Sequence, residues 1–292
     1  MGNCVLRFLL DPSIGIAQNM IIDCHTHIDT GHKGKISDKK VDVLIHEMDE
    51  TGIEQSVVLL TAPKADFSST KLQNDWIANL CSQNQRIIGF CSIHPDDGED
   101  SLRELERCAN TLKLKGIKLH PVVQQFDTAH PFLDKIFKQA AILDLPILID
   151  TFAPLDDSQP GKLLKLVTSN LQTKTILAHA GMTRFQEFTI YPLMKKRNQK
   201  LFENIFFDLS AICVTFYKSP YQEQVRWVCE QMGTENLLFG SDFPLYSPRE
   251  TLAAIRNFGF PQEALGSILG GNLRNLLIPS TENHNPRSAI GA

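Results

Sequence analysis

Two histidines, His25 and His27, stand two residues apart in the stretch DCHTHID. Alternate residues of a β-strand point to the same side of the sheet, so the two imidazole rings face the same way. Neutral imidazole is a common ligand of transition-metal ions, and two rings that converge can share one ion. The pair therefore predicts part of a metal site, whereas the plainer interpretation is two core histidines that hydrogen-bond to their neighbours.

A carboxylate and a further histidine also end apolar runs, Asp242 in LLFGSDFP and His179 in ILAHAG. Burying a carboxylate costs several kcal/mol unless a cation or hydrogen-bond donors face it, and a metal ion is such a cation. His179 alone is more typical of a core or capping histidine. Gly181 follows it, and a residue without a side chain leaves room for a substrate close to the backbone.

Lys118 and His120 form a second pair with a spacing of two, in GIKLHP. The functional interpretation is that both side chains bind the substrate, with Lys118 facing a substrate carboxylate. The structural interpretation is a lysine in a buried ion pair and a histidine bonded to a loop. His94 and Asp208 end two other apolar runs, and each is as typical of a residue that orients a loop as of a substrate contact.

These polar residues follow eight short apolar runs, at 20–24, 55–60, 86–92, 116–119, 146–150, 174–178, 205–209 and 237–240. Stretches with apolar residues at helical spacing lie between the runs, and the repeat averages about 31 residues, the length of one strand–helix crossover unit. Several runs lack polar alternation, which indicates parallel strands covered by helices. Eight such units predict an α/β fold, a single (β/α)8 TIM-type barrel whose active site lies at the carboxyl ends of the strands.

The barrel is predicted to span residues 20–279, with a C-terminal helical segment at 261–277. Residues 1–19 are predicted to be a disordered N-terminal extension, and residues 280–292 a polar tail. A doubly wound open sheet would show a glycine-rich phosphate loop after its first strand, and the sequence has none there.

Composition narrows the range of partners. Among 292 residues, 29 are Lys or Arg and 33 are Asp or Glu, and no basic run exceeds Lys195-Lys196-Arg197, so neither nucleic acid nor anionic lipid is expected as a partner. No apolar stretch approaches the 18 or so residues that span a bilayer. Seven scattered cysteines without a CxxC motif favour reduced thiols and a cytoplasmic location. We expect a small-molecule substrate and leave homo-oligomerisation open.

The motifs DCHTHID, GIKLHP, ILAHAG, FGSDFP and GGNLRNLL, taken in order, resemble the metal-dependent amidohydrolase superfamily, in its amidohydrolase-related branch of hydrolases and decarboxylases. The resemblance covers about residues 20–278. It implies that the first-strand histidines, a fifth-strand histidine and the eighth-strand aspartate bind one divalent metal ion, usually zinc. It therefore implies that His25, His27 and Asp242 are ligands and that His179 is catalytic.

The chain departs from the branch at the fifth strand, which reads PILIDTF instead of ending in His-Thr-Gly. Asp150 takes the ligand position, and Phe152 replaces the glycine. An aspartate ligand is harder than imidazole and adds a negative charge, which would favour manganese or iron over zinc or make the bound water less acidic. Alternatively, Asp150 pairs with Lys118, and the metal is weak or missing.

The leading hypothesis is a metal-dependent hydrolase in which metal-activated water attacks a lactone, cyclic amide or ester while His179 and Asp242 transfer protons. The first alternative is a metal-dependent decarboxylase, a carboxy-lyase, of an aromatic or unsaturated acid. The second is a non-catalytic barrel that has lost its metal site, for which the Asp150 substitution is the best argument. A TatD-like nuclease shares the paired histidines, but the missing fourth-strand glutamate and the acidic net charge disfavour it.

Overall fold

The computed structural model describes residues 20–28 and 38–278. The extension predicted at 1–19 and the tail predicted at 280–292 lie outside the described residues. Within these ranges, no helix is long and apolar enough to cross a membrane.

Short parallel strands alternate with helices along the described chain. They pair in the orders β1-β2-β3 and β4-β5-β6-β7-β8-β9. The strands are β1 (Ile22–His27), β2 (Gln55–Leu59), β3 (Ile87–Gly89), β4 (Cys91–Ser92), β5 (Ile117–Leu119), β6 (Ile147–Ile149), β7 (Thr175–Leu177), β8 (Ile205–Asp208) and β9 (Leu237–Leu238). Most of their residues are buried, because helices cover the outer face and side chains fill the inside.

The third predicted strand, at 86–92, is split into β3 and β4 by Phe90. The N–H of Phe90 still donates to the Val58 carbonyl at 3.2 Å, whereas the N–H of Cys91 donates to Gly116 at 2.9 Å. The chain therefore changes partner at one residue, from β2 to β5, and the nine strands of the described part of the chain occupy eight positions.

The first and last strand positions are joined by backbone hydrogen bonds. Cys24 donates to the carbonyl of Phe239 at 2.9 Å, and the N–H of Asp242 donates to the carbonyl of His25 at 2.8 Å. A parallel bridge between Thr26 and Phe243 lies beside them. The predicted TIM-type α/β barrel is confirmed, although β1 extends past the predicted end at residue 24, so both strand-1 histidines lie within the strand.

The helices pack outside the strands. They are α1 (Asp38–Thr51), α2 (Phe67–Gln83), α3 (Glu99–Asn110), α4 (Pro121–Gln124), α5 (Leu133–Ile142), α6 (Gln159–Ser169), α7 (Ile190–Arg197), α8 (Ile212–Phe216), α9 (Gln222–Met232), α10 (Pro248–Arg256), α11 (Gln262–Gly266) and α12 (Asn272–Leu277). Residue chemistry sets several helix starts. Asp66 accepts from the N–H of Ser69 at α2, and Ser247 precedes Pro248 at α10. The predicted C-terminal helical segment is present as α11 and α12, joined by a π turn at Ser267–Gly271.

Candidate metal centre and active site

His25 lies near the carboxyl end of β1 and is fully buried. Its Nδ1 lies 2.6 Å from Oδ2 of Asp208, and because an ionised carboxylate only accepts, Nδ1 carries the hydrogen. Burial lowers the pKa of His25, so the ring is neutral near pH 7 and Nε2 keeps its lone pair. A histidine held in this way by a carboxylate is the usual arrangement of a metal ligand.

Three donor atoms then face one point. Nε2 of His25 lies 3.1 Å from Nε2 of His27, and Oδ1 of Asp242 lies 3.6 and 3.7 Å from these two nitrogens. A point equidistant from the three atoms lies about 2.0 Å from each, which matches the bonds of about 2.0–2.2 Å that zinc makes to nitrogen and oxygen. The donor set therefore fits a divalent ion.

The backbone holds Asp242 in a conformation that aspartate seldom adopts. Its φ is 62°, in the left-handed region, and its N–H is tied to the carbonyl of His25. Such a conformation costs about 1–3 kcal/mol and persists where surrounding contacts fix it, most often at functional sites. The hydrogen bond that joins β1 to the last strand position therefore also aims the Asp242 carboxylate.

Asp150 follows β6 and is a carboxylate shared by several side chains. Its Oδ2 lies 3.1 Å from Nε2 of His179, 3.6 Å from Nε2 of His120 and 3.9 Å from Nζ of Lys118. Burial alone would raise the pKa of Asp150, but His120, His179 and Lys118 together outweigh burial and hold it well below its usual range. Asp150 is therefore ionised.

The two interpretations of Asp150 are both compatible with its position. Donor atoms of His25, Asp150 and His179 lie within 4.8 Å of one another, so they form a second group able to hold an ion, and it shares His25 with the first group. The fully buried Lys118 places Nζ 3.1 Å from Nε2 of His25, closer than its 3.9 Å to Asp150. Whether Asp150 is a ligand stays a prediction.

His179 lies in the 3-10 turn Ala178–Arg184 after β7, with a left-handed φ of 58°. Its Nδ1 lies 2.9 Å from Oγ of Ser210, and its Nε2 faces Asp150. Burial lowers the pKa of His179, but the hydrogen bond and charge of Asp150 and the charges of Asp242 and Asp208 raise it to about 9. The ring of His179 is therefore charged near pH 7 when no metal ion is bound beside it.

Gly181 does not serve the purpose that the sequence suggested. A Cβ on this residue would lie 2.4 Å from the ring of Phe188, so the missing side chain makes room for a core aromatic ring and not for a substrate. The glycine that makes room within the site is Gly240. A Cβ there would lie 2.5 Å from Oδ1 of Asp208 and 2.9 Å from Cβ of His25, so this glycine lets the two side chains meet.

A cavity of about 550 Å³ opens above the cluster. Its polar lining includes His27, His120, Asp150, His179 and Asp242, whereas its apolar lining includes Val123, Phe152, Met182 and Leu245. Phe152 is 42% exposed and Leu245 is 74% exposed, so apolar side chains form a rim around a polar floor.

The structure brings seven predicted site residues together: His25, His27, Lys118, His120, Asp150, His179 and Asp242. His120 lines the cavity, whereas Lys118 is fully buried, with Nζ beside Nε2 of His25, and is absent from the lining residues among those described. His94 orients a loop, because its Nε2 lies 2.7 Å from the carbonyl of Gln124. Sequence reasoning missed Ser210, although it follows Asp208 at a spacing of two.

A parallel α/β barrel with a histidine and aspartate cluster at the carboxyl ends of its strands defines a class of metal-dependent barrel enzymes. The chain belongs to the amidohydrolase family, since the family model described as Amidohydrolase matches residues 22–277. This confirms the predicted resemblance, and with it the expectation of an enzyme that is a hydrolase or a carboxy-lyase.

Known proteins of similar sequence and structure include decarboxylases. A 2-amino-3-carboxymuconate-6-semialdehyde decarboxylase of Dictyostelium discoideum is 23% identical over 276 residues, which cover 81% of this chain and 76% of that protein. A 5-carboxyvanillate decarboxylase from Sphingomonas paucimobilis superposes with a TM-score of 0.69 at 17% identity, covering 88% of this chain and 98% of the other. A dihydroxybenzoic acid decarboxylase from Polaromonas sp. JS666, with bound manganese and 2-nitroresorcinol, gives 0.66 at 18%, covering 89% and 97%. The structural likeness shows the fold.

Proposed function

We propose that the protein is a metal-dependent decarboxylase of an aromatic or unsaturated carboxylic acid. The observation that carries the proposal is one cavity in which an apolar rim surrounds a floor of histidines and aspartates, with a buried lysine in contact with the histidine cluster. The decarboxylase relatives support this alternative over the hydrolase that the sequence placed first.

One divalent ion is proposed to bind His25, His27 and Asp242, with Asp150 as the fourth ligand. Two carboxylates make this set harder than one built mainly on imidazole, which favours manganese over zinc. The manganese bound to the Polaromonas enzyme supports the same assignment. When bound, the metal supplies a positive charge that holds the carboxylate or an adjacent hydroxyl of the substrate.

The chain itself supplies the groups that orient the substrate. Phe152 and Leu245 at the rim offer an apolar surface to an unsaturated or aromatic body. His120, whose pKa burial lowers to about 4, is neutral and can exchange hydrogen bonds with a polar substituent. Lys118 is proposed to act on the substrate carboxylate through its charge, from a buried position beside His25 and Asp150.

His179 is proposed as the proton donor. In decarboxylation the bond between the substrate carbon and its carboxylate breaks, the electron pair stays on that carbon, and carbon dioxide leaves. A proton from Nε2 of His179 then replaces the lost group, while Asp150 stabilises the charged ring beforehand. Asp242 is proposed to assist proton movement through the oxygen that does not face the two histidines.

The test is an assay of carbon dioxide release. Protein loaded with Mn²⁺ or Zn²⁺ is incubated with aromatic and unsaturated acids labelled with ¹³C at the carboxylate, and with lactones, cyclic amides and esters. We expect labelled carbon dioxide from at least one acid, a loss of about 10²- to 10⁴-fold in kcat for His179→Gln, and no change for the exposed His46→Gln on α1. Ring opening or ester cleavage without carbon dioxide would establish the hydrolase instead, and no turnover by metal-loaded protein would contradict both.

A further inference from the structure

Asp208 and Ser210 connect two histidines of the candidate site, His25 and His179, through hydrogen bonds to Nδ1 of each ring. Asp208 ends β8 and is fully buried, with Oδ2 lying 2.6 Å from Nδ1 of His25 and 2.8 Å from Oγ of Ser210. Oγ of Ser210 lies 2.9 Å from Nδ1 of His179. A continuous path of hydrogen bonds therefore runs from His25 to His179 through one carboxylate and one hydroxyl.

The chemistry of each atom fixes the direction of these bonds. The carboxylate of Asp208 only accepts, so the single hydroxyl hydrogen of Ser210 points to it, as does the Nδ1 hydrogen of His25. The lone pairs of Ser210 Oγ are left for His179, whose Nδ1 must then carry a hydrogen. The carbonyl of Ser210, 3.3 Å from the same nitrogen, also accepts only.

The backbone supports this arrangement. The N–H of Ser210 donates to Oδ1 of Asp208 at 2.7 Å, which locks the serine beside the carboxylate. Gly240 has no Cβ, and this absence allows Asp208 to approach His25. Ser210 and Asp208 are both fully buried, so water does not compete for these bonds.

We propose that Asp208 and Ser210 are positioning residues that hold both candidate active-site histidines in the Nδ1–H form, which leaves Nε2 of His25 for the metal and Nε2 of His179 for proton exchange. The claim about which ring nitrogens carry hydrogen can be tested without an activity assay. The catalytic part rests on the proposed function, because only then does the exchanging nitrogen of His179 affect turnover.

The direct test is ¹⁵N NMR of full-length protein labelled at histidine, with His179→Gln used to assign the signal. In the neutral ring, we expect His179 to be the Nδ1–H tautomer in the wild type, because Oγ and the carbonyl of Ser210 both face Nδ1. Ser210→Ala is expected to shift the ring towards the Nε2–H tautomer, whose hydrogen bond the Asp150 carboxylate can accept. Ser210→Thr is expected to restore the Nδ1–H tautomer. Ser56→Ala removes another buried serine hydroxyl, one without a hydrogen-bond partner among the described residues, and is expected to leave the signal unchanged.

A His179 signal that is the same in Ser210→Ala as in the wild type would overturn the proposal, because the backbone carbonyl would then suffice. With an active substrate in hand, we expect Ser210→Ala to lower kcat about 10- to 100-fold with little change in KM, and Ser210→Thr to recover it. If the tautomer shifts as expected but no acid is decarboxylated, the positioning role holds and the proposed function fails. Thermal unfolding and metal content of each variant show whether it is folded and loaded.

Discussion

Asp150 decides the composition of the metal site at the scale of single residues. Its Oδ2 faces His179, His120 and Lys118, so it is either a ligand or the anion that balances the charges of His179 and Lys118. If Asp150 is a ligand, Asp150→His restores the ligand set of the family, and we expect metal binding that is unchanged or tighter. Metal stoichiometry and thermal unfolding of this one variant measure the difference.

The competing role predicts a loss of stability from the same substitution. If Asp150 serves only Lys118 and the histidines, Asp150→His leaves a buried lysine without its carboxylate, and the free energy of unfolding falls by about 3–5 kcal/mol. A lower stability with unchanged metal content would remove Asp150 from the ligand set.

Asp208 sets the orientation of His25, so its charge is expected to control metal affinity. In Asp208→Asn the amide can still accept from Nδ1, but without the negative charge that strengthens the hydrogen bond and the basicity of the ligand. We expect metal affinity to fall about 10- to 100-fold, measured by titration with a metal indicator. Asp96→Asn, an exposed carboxylate outside the cluster, serves as the control, and an equal loss in both variants would contradict the role of Asp208.

The sequence could predict those site residues whose side-chain type is itself typical of metal binding or proton transfer. The two strand-1 histidines, Asp242 and His179 were predicted from type, spacing and a family motif, and they converge in the structure. Ser210 could not be predicted in this way, because serine is common in loops and its role depends on where the Asp208 carboxylate lies. Gly181 was misjudged because a missing side chain does not show which neighbour fills the space.

The closing segment after β9 shapes the site at the scale of elements. In Gly240→Ala the new Cβ would meet Asp208 and the stem of His25, so the strand ends must shift apart. We expect a loss of about 1–3 kcal/mol in the free energy of unfolding, typical of an overpacked core, together with weaker metal binding. Denaturant unfolding and metal titration measure the two effects.

Gly161→Ala in α6 is the matched control, because a Cβ there meets no atom of residues 20–28 or 38–278 within 4 Å. It should leave metal binding unchanged and the protein as stable or slightly more stable, since alanine favours helix. Unaltered metal binding in Gly240→Ala would show that the closing segment does not position the ligands.

The strands were predictable in number and order but less so at their ends. Apolar runs and their spacing indicated eight positions, whereas the split at Phe90 depends on a change of hydrogen-bond partner that no local pattern encodes. Likewise, β1 continues through its histidines, because Thr26 and His27 pair with β2 and the segment beyond β9 pairs with Thr26 from the other side. That pairing joins residues more than 200 positions apart, so only the closed fold creates it.

At the scale of the whole molecule, a metal ion would link the two ends of the barrel. The candidate ligands lie on β1, after β6 and after β9, so an ion that binds only the folded protein stabilises it. At a metal concentration 100 times Kd the gain is about 2.7 kcal/mol, or roughly 5 °C in Tm for a domain of this size. We expect this rise on addition of Mn²⁺ or Zn²⁺ to chelator-treated protein, and none in Asp242→Ala; equal shifts in both proteins would place the ion elsewhere.

The central claim is that His25, His27 and Asp242 together hold one divalent ion. The most direct measurement is elemental analysis of protein purified without chelator, with His27→Ala and Asp242→Ala prepared in parallel. We predict close to one ion per wild-type chain and a large loss of metal in both variants, which thermal unfolding shows to be folded. A fully folded wild-type protein without metal, or variants that keep the wild-type metal content, would contradict the claim.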